Sequence, residues 1–134
     1  MKSEAKFQQT YSIEIGSSSY LYELFCISVK TSGLFLFEVT HGGYTDPHVT
    51  SSLIISGYVV SNSEKLMFKS DKVQDEKNLS IYYKRKGETV TFYAKRKKNG
   101  TVENIAIRLL YMGYGLIPKF IMKESAEENI IIVP

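Results

Sequence analysis

Hydrophobic and polar residues alternate with a period of two along most of this chain. The segment Tyr20–Lys30 (YLYELFCISVK) places Phe25 on one face, and Leu24 and Cys26 on the other. Leu34–Thr40 (LFLFEVT) follows, and it is apolar enough to be a strand buried on both faces. Because a three-residue polar turn with a glycine joins the two segments, we predict that they form a β-hairpin.

Further strand-like segments follow, separated by glycine, asparagine, aspartate and serine residues typical of turns. They are Leu53–Ser61, Lys65–Ser70, Leu79–Lys86, Thr89–Lys97, Val102–Tyr111, Leu116–Met122 and Ile130–Val133. The pairs Gly87-Glu88 and Asn99-Gly100 favour tight turns, so the three segments around them are predicted to form a meander. Gly57 indicates a bulge or a close approach of two backbones, and Pro118 indicates an edge strand.

The predicted fold is therefore all-β, an antiparallel β-sandwich or jelly roll of about nine to ten short strands. The 134 residues match the size of one domain, and 43% hydrophobic residues suffice for one core, so we expect a single domain over residues 1–134. No apolar run approaches the roughly 20 residues of a membrane span. The polar segment Met1–Thr10 lacks the apolar stretch of a signal peptide. The lone Cys26 excludes an internal disulfide, and its apolar surroundings predict a buried, inert thiol.

Candidate catalytic and metal-binding residues are few. The two histidines, His41 and His48, both lie in the predicted loop His41–Ser52, which is rich in glycine and contains a proline, and Asp46 could complete a His-x4-Asp-x-His set of metal ligands. That spacing matches no established zinc pattern, which favours solvated loop histidines. Glu23 and Glu38 lie in apolar strands and are the best candidates for a glycosidase pair, although a buried or interface ion pair with a lysine is the favoured interpretation. We therefore expect a protein that is not an enzyme and carries no metal or cofactor.

Two basic clusters, Lys84–Lys86 and Lys95–Lys98, lie at opposite ends of the predicted meander. This separation and the modest net charge of +3 argue against nucleic acid as a partner. The favoured interpretation is that these clusters keep the protein soluble and protect its strand edges from pairing with other chains. Attraction of an anionic polymer, such as an acidic glycan, is the functional alternative.

Tyrosine is the most abundant aromatic residue, with 10 Tyr, 7 Phe and no Trp. Tyr82 and Tyr93 point away from the predicted core residues of their strands, and Tyr58 does so if the alternation continues through Gly57. Outward tyrosines on a sheet can stack on sugar rings, fill a subunit interface or pair across strands. The sequence leaves these three alternatives open.

The order of these segments resembles that of the C-terminal head domains of bacteriophage tail fibres and tailspikes. The resemblance covers about Tyr11 to Met122 and is a pattern of strands rather than a catalytic motif. It is carried by Tyr22–Val29 (YELFCISV), Gly33–Gly43 (GLFLFEVTHGG), Leu79–Lys84 (LSIYYK), Val90–Lys95 (VTFYAK) and Val102–Tyr111.

The resemblance implies a homotrimeric head in the virion, made in the host cytoplasm as the C-terminal part of a longer fibre protein. Such a head would bind a host cell-surface polysaccharide or anionic glycan and would not insert into a membrane. The resemblance identifies no binding residue, so candidates come from side-chain chemistry alone. They are His41, Tyr44, Asp46 and His48 in the loop, then Tyr82 and Tyr93 on the sheet.

Three alternatives remain open. The first is a carbohydrate-binding module of a polysaccharide-degrading or cell-wall-degrading enzyme, although such sites favour tryptophan. The second is a purely structural virion assembly domain. The third is a small enzyme that uses Glu23 and Glu38.

Overall fold

The chain folds into two packed antiparallel sheets. The computed structural model of the protein describes residues 10–15, 21–43, 50–68, 79–96 and 103–134. Its strands are β1 (Thr10–Ile15), β2 (Leu21–Val29), β3 (Gly33–Gly43), β4 (Thr50–Val59), β5 (Leu66–Phe68), β6 (Leu79–Lys86), β7 (Thr89–Arg96), β8 (Glu103–Met112), β9 (Leu116–Glu124) and β10 (Ile131–Ile132). Sheet 1 has the order β1-β8-β3-β4-β5 and sheet 2 the order β10-β6-β7-β2-β9. The predicted all-β sandwich is confirmed. None of the described residues belongs to a helix of the length and apolarity needed to cross a membrane.

Phenylalanines from both sheets form the centre of the core. Phe25 of β2 and Phe92 of β7 contact Phe37 of β3 across the sandwich, each with ring centroids 4.9 Å apart and steeply inclined planes. Such inclined ring pairs are favoured over face-to-face sandwiches. The alternation in β7 places Val90 and Ala94 beside Phe92 in the core, as predicted. The inward residues of the two sheets therefore interdigitate.

Two predicted hairpins are crossings between the sheets. β2 belongs to sheet 2 and β3 to sheet 1, so the polar turn after Val29 carries the chain from one sheet to the other. The backbone N–H of Lys30 donates to the carbonyl oxygen of Gly115 in this crossing, at 2.7 Å. β7 and β8 are likewise in different sheets, so the predicted meander is wrong; its Asn99-Gly100 turn lies outside the described residues. The β6–β7 hairpin is confirmed, and Gly87 in its turn has φ 59°.

A bulge in β2 changes which residues face the core. The register with both neighbouring strands shifts between Glu23 and Phe25, and Leu24 and Phe25 are both fully buried. The prediction that Leu24 faces away from Phe25 is therefore wrong, because a bulge places two consecutive residues on one face. Cys26 follows on the outer face and is half-buried rather than enclosed in the core. Burial raises the pKa of its thiol, and the nearby Lys119 opposes that rise.

Sheet 1 contains both a confirmed and a corrected prediction. The β3–β4 register continues through Gly57, where β5 approaches closely: an added Cβ would lie 2.3 Å from the carbonyl oxygen of Met67. A close backbone approach, not a bulge, explains this glycine. β3 is buried on one face only, because Leu34 on the outer face is 58% exposed. Leu36 is also only partly covered. In sheet 2, β9 with Pro118 is an edge strand as predicted.

Candidate functional site

An apolar groove crosses the outer face of sheet 1 at one end of the sandwich. Leu34, Tyr58 and Met67 are direct neighbours across β3, β4 and β5. Leu36 pairs with Tyr111 of β8 in the adjoining row. The groove has a volume of about 730 Å³. Its lining comprises Leu34, Phe35, Leu36, Ser56, Gly57, Tyr58, Met67, Phe68 and Tyr111.

The groove exposes an unusual amount of hydrophobic side chain. Leu34, Met67 and Tyr111 are 58%, 49% and 50% exposed. Single exposed apolar side chains are normal on a protein surface, but neighbouring ones are typical of binding surfaces. Gly57 and the buried Phe35 form the floor, because the missing side chain at position 57 leaves β4 and β5 close together. The groove is thus built by strand pairing rather than by a loop.

Next to the groove, the outer face of sheet 1 carries a pair of opposite charges. Glu38 of β3 and Arg108 of β8 are cross-strand partners and form an ion pair of 3.0 Å between Oε1 and Nη2. Glu38 is therefore in an ion pair, as the favoured interpretation expects, but its partner is an arginine and not the predicted lysine. Glu23 lies in sheet 2, so the predicted glycosidase pair is divided between the two sheets. Within the described strands, the structure does not bring these two carboxylates together.

The outer face of sheet 2 is crossed by residues 125–130, which we call the strap. β9 and β10 form opposite edges of this sheet, so the strap must pass β2, β7 and β6 to join them. It begins with the N–H of Ser125 donating to the carbonyl oxygen of Leu21, at 3.0 Å. β10 follows the strap, and after it Val133 is buried in the core and donates its N–H to the carbonyl oxygen of Ile81, at 2.9 Å.

Two lysines of β6 hold the middle of the strap. Lys84 Nζ lies 2.6 Å from Oε2 of Glu127 and donates to the carbonyl oxygen of Glu128 at 2.8 Å. Lys86 Nζ lies 3.3 Å from the same Oε2 atom. The hydrogen bonds from the two ammonium groups hold the pKa of Glu127 below its usual range. One carboxylate oxygen of Glu127 therefore forms ion pairs with both lysines.

Tyr93 is buried although it points away from the core. It is 3% exposed, and burial raises the pKa of its hydroxyl to about 12, with further contributions from Glu127 and Glu23. The strap runs from its hydrogen bond with Leu21 of β2 to Lys84 of β6, so it passes over β7 close to Tyr93. The prediction that Tyr93 is exposed is therefore wrong. Its facing was correct, but a segment more than 30 residues later in the sequence covers it.

Tyr82 is the direct cross-strand partner of Tyr93. It is half-buried, and Lys95 Nζ lies 5.7 Å from the centre of its ring, within the range of a cation–π contact. Of the three alternatives for outward tyrosines, this pair fits cross-strand packing. Tyr82 keeps part of its ring accessible, but Lys95 occupies one side.

The predicted loop site is not assembled by the described residues. His41 is a residue of β3 that pairs with Ser51 and Ile105, and it is only 4% exposed. The prediction of a solvated loop histidine is wrong, because β3 continues its inward alternation through this position. Tyr44, Asp46 and His48 lie outside the described residues. Among the residues that the structure describes, no group of three metal-ligating side chains comes together.

Arg85 corrects the interpretation of the first basic cluster. Its side chain is 5% exposed and makes hydrogen bonds to the carbonyl oxygens of Gly87 and Lys65 and to Glu88. It is thus a structural residue near the Gly87-Glu88 turn rather than solubilising charge. Lys86 beside it is exposed, as the solubilising interpretation expects.

No family model, curated protein or solved structure matches the chain. The candidate sites therefore rest on geometry. Sequence reasoning had one signal for the groove, namely the apolar residues on both faces of Leu34–Thr40. It missed Met67 and Tyr111, because their place beside Leu34 and Leu36 depends on strand pairing that no local pattern encodes.

Proposed function

We propose that this chain is a non-enzymatic head domain of a phage tail fibre or tailspike, which assembles as a homotrimer and binds a host cell-surface glycan. The observation that carries the proposal is the apolar groove on sheet 1. Leu34 and Leu36 lie within Gly33–Gly43, one of the segments on which the resemblance to such heads rests. Their exposure in the single chain is what an uncovered subunit interface would leave.

Energetics favour covering this groove with another copy of the chain. Burying the exposed half of one leucine or methionine side chain contributes about 1 kcal/mol, and several such side chains are neighbours here. The residues that line the groove carry no charge, and the nearby Glu38 and Arg108 pair with each other, so copies can approach through the groove without like-charge repulsion. The outer face of sheet 2, with its exposed lysines, lacks that property.

The test is solution mass by light scattering across a dilution series, for the native chain and two matched variants. We expect a stable species of about three times the chain mass of 15.3 kDa. Met67→Glu places a charge in the groove and is expected to yield monomers. Ile117→Glu is the control, because Ile117 is equally exposed, at 49%, but lies on β9 of sheet 2.

Two results would contradict this assignment of the interface. One is a native chain that remains monomeric at every concentration. The other is dissociation by Ile117→Glu while Met67→Glu still assembles. Circular dichroism of each variant verifies that a lower mass reflects lost assembly rather than unfolding.

A monomeric carbohydrate-binding module is the second candidate, and one observation favours it. Tyr58 and Tyr111 both line the groove, where their rings could stack on sugars. In that case the native chain would be monomeric and would bind a neutral oligosaccharide. Tyr111→Ala would then abolish binding without changing the mass.

A further inference from the structure

Lys84 and Lys86 form a compact polar square with two threonines on sheet 2. Lys84 pairs directly with Thr91, and Lys86 with Thr89, across the β6–β7 hairpin. All four residues alternate away from inward neighbours such as Val90 and Phe92, so they belong to the outer face. The square offers two positive charges beside two hydroxyl groups.

The square already holds a carboxylate. Both ammonium groups converge on Oε2 of Glu127, at 2.6 and 3.3 Å. A cleft of about 510 Å³ lies at this point between Lys84 and the strap. That volume lies within the range of sites for small ligands. The geometry is therefore suited to an oxyanion, and Glu127 provides one from within the chain.

We propose that the Lys84–Lys86 square is a binding site for a carboxylate-bearing saccharide, and that Glu127 of the strap occupies it in the free domain. The inference deepens the proposed function, since it rests on glycan binding and names the class of glycan. A sugar carboxylate replaces the carboxylate of Glu127, while Thr89 hydrogen-bonds to a sugar hydroxyl and the hydroxyl of Thr91 keeps its hydrogen bond to Tyr93. The ligand and the strap therefore compete for the same cations.

The strap can move away from Lys84 and Lys86 without unfolding of the domain. Its C-terminal anchor lies beyond it, at the buried Val133, and its N-terminal anchor is the Ser125–Leu21 hydrogen bond. Between these anchors, Ala126, Glu128 and Asn129 are exposed. Exchange of one partly exposed ion pair for another costs little, since the net contribution of such pairs to stability is small.

The same face is poorly suited to nucleic acid. Single-stranded nucleic acids bind where aromatic rings stack on successive bases along a cationic groove. On the described outer face of sheet 2, Tyr93 is buried and Tyr82 has Lys95 over its ring. Lysine charges beside threonine hydroxyls are better matched to a hydroxyl-rich acidic polymer.

The experiment measures affinity for oligogalacturonate by calorimetry, with the full chain and two variants of the strap. Glu127→Gln removes the competing carboxylate, so we expect it to bind about three-fold more tightly than the native chain. Glu128→Gln is the matched control. It makes the same change in charge one residue away, and since Lys84 contacts only the backbone carbonyl of Glu128, its affinity should change little.

A second pair of variants tests the cations themselves. Lys84→Met with Lys86→Met is expected to abolish binding, whereas Lys65→Met, an exposed lysine beside β5 of sheet 1, leaves it intact. Hydrogen exchange verifies that each variant is folded. Saturating oligogalacturonate should also increase exchange in the strap of the native chain.

Three outcomes would overturn the inference. If Glu127→Gln and Glu128→Gln raised the affinity for oligogalacturonate equally, the effect would come from net charge and not from competition by Glu127. Binding of a neutral maltooligosaccharide but not of oligogalacturonate would reject the acidic class while leaving a glycan-binding head intact. Equal or tighter binding of a single-stranded oligonucleotide, dependent on the same lysines, would make the site one for nucleic acid. The light-scattering measurement is independent of all three.

Discussion

At position 57, three strands meet so closely that no side chain can be added. A Cβ on Gly57 would lie 2.3 Å from the carbonyl oxygen of Met67 and 2.6 Å from Cζ of the Phe35 ring. The first of these atoms is backbone and cannot rotate away. We expect Gly57→Ala to lower the free energy of unfolding by about 2 kcal/mol or more, because β5 or the ring must shift. Urea unfolding measures this loss.

Gly87→Ala is the matched control for that prediction. Position 87 also favours glycine, because its φ is 59°. Nothing lies within 4 Å of an added Cβ there, so no steric clash contributes. The left-handed conformation alone costs about 1 kcal/mol for alanine. A loss for Gly57→Ala no larger than that for Gly87→Ala would show that β5 yields easily. The floor of the groove would then be soft rather than fixed.

At the scale of elements, the attachment of the strap involves a carboxyl group with a shifted pKa. The pKa of Glu127 is lowered in the folded chain by its hydrogen bonds to Lys84 and Lys86. A lowered carboxyl pKa means that the stabilisation is present above the ordinary value of about 4.5 and is lost as the pH falls through the folded value. We therefore expect the strap to be held near neutral pH and released in acid.

Hydrogen exchange of the strap peptide tests this expectation against Glu127→Gln. Near neutral pH the native strap should exchange more slowly than that of the variant, and in acid below the folded pKa of Glu127 the two should agree. Comparison at equal pH cancels the intrinsic pH dependence of exchange. A difference that persists in acid would mean that the Glu127 carboxylate does not control the strap.

The strands themselves were largely predictable, and their pairing was not. The alternation of Leu79–Lys86 and Thr89–Lys97 located β6, β7 and their turn correctly, because local patterns encode which residues face the core. The break between β2 and β3 looked equally like a hairpin. The packing of Phe25 against Phe37 places these strands in opposite sheets, and that contact is not visible in the local sequence.

For the whole molecule, the candidate sites were less predictable than the fold. The exposed face of Leu34–Thr40 could be anticipated as an interface from its apolar residues on both sides. The proposed site for an acidic sugar could not be anticipated, since Glu127 contacts Lys84 across 43 positions of sequence. Tyr93 shows the same limit: its facing follows from alternation, but its burial depends on the strap. Long-range topology, rather than local chemistry, decides what remains exposed.

The two outer faces of the sandwich differ in a way that separates their proposed roles. Sheet 1 exposes a nearly neutral apolar groove that suits another copy of the chain. Sheet 2 exposes lysines and hydroxyl groups, and the strap covers part of it. Assembly through the first face would leave the second accessible. Variants of one face should therefore leave the other function unchanged.

The proposed division of roles requires the two sheets to keep a fixed position relative to each other. Arg85 connects the sheets at one end by hydrogen bonds. From sheet 2, its Nη1 atom donates to the carbonyl oxygen of Lys65, beside β5 of sheet 1, at 2.8 Å. Its Nη2 atom donates to Oε1 of Glu88 at 2.9 Å, and Oε2 of Glu88 accepts from the N–H of Asn62 in the turn before β5. The two side chains together bridge the hairpin turn of one sheet to the β4–β5 turn of the other.

We expect Arg85→Met to lower the free energy of unfolding by about 2 kcal/mol, because charged hydrogen bonds of a buried side chain are lost together. Arg108→Met is the matched control. The Arg108 side chain is 46% exposed and its ion pair with Glu38 spans neighbouring strands of one sheet, so the loss should be below about 1 kcal/mol. Denaturant unfolding of both variants decides the matter. Equal losses of stability in the two variants would mean that hydrophobic packing alone holds the sheets in register. The proposed assembly through the groove beside β5 should then be unchanged in Arg85→Met. A larger loss with weakened assembly would instead place the Arg85–Glu88 bridge in control of the groove.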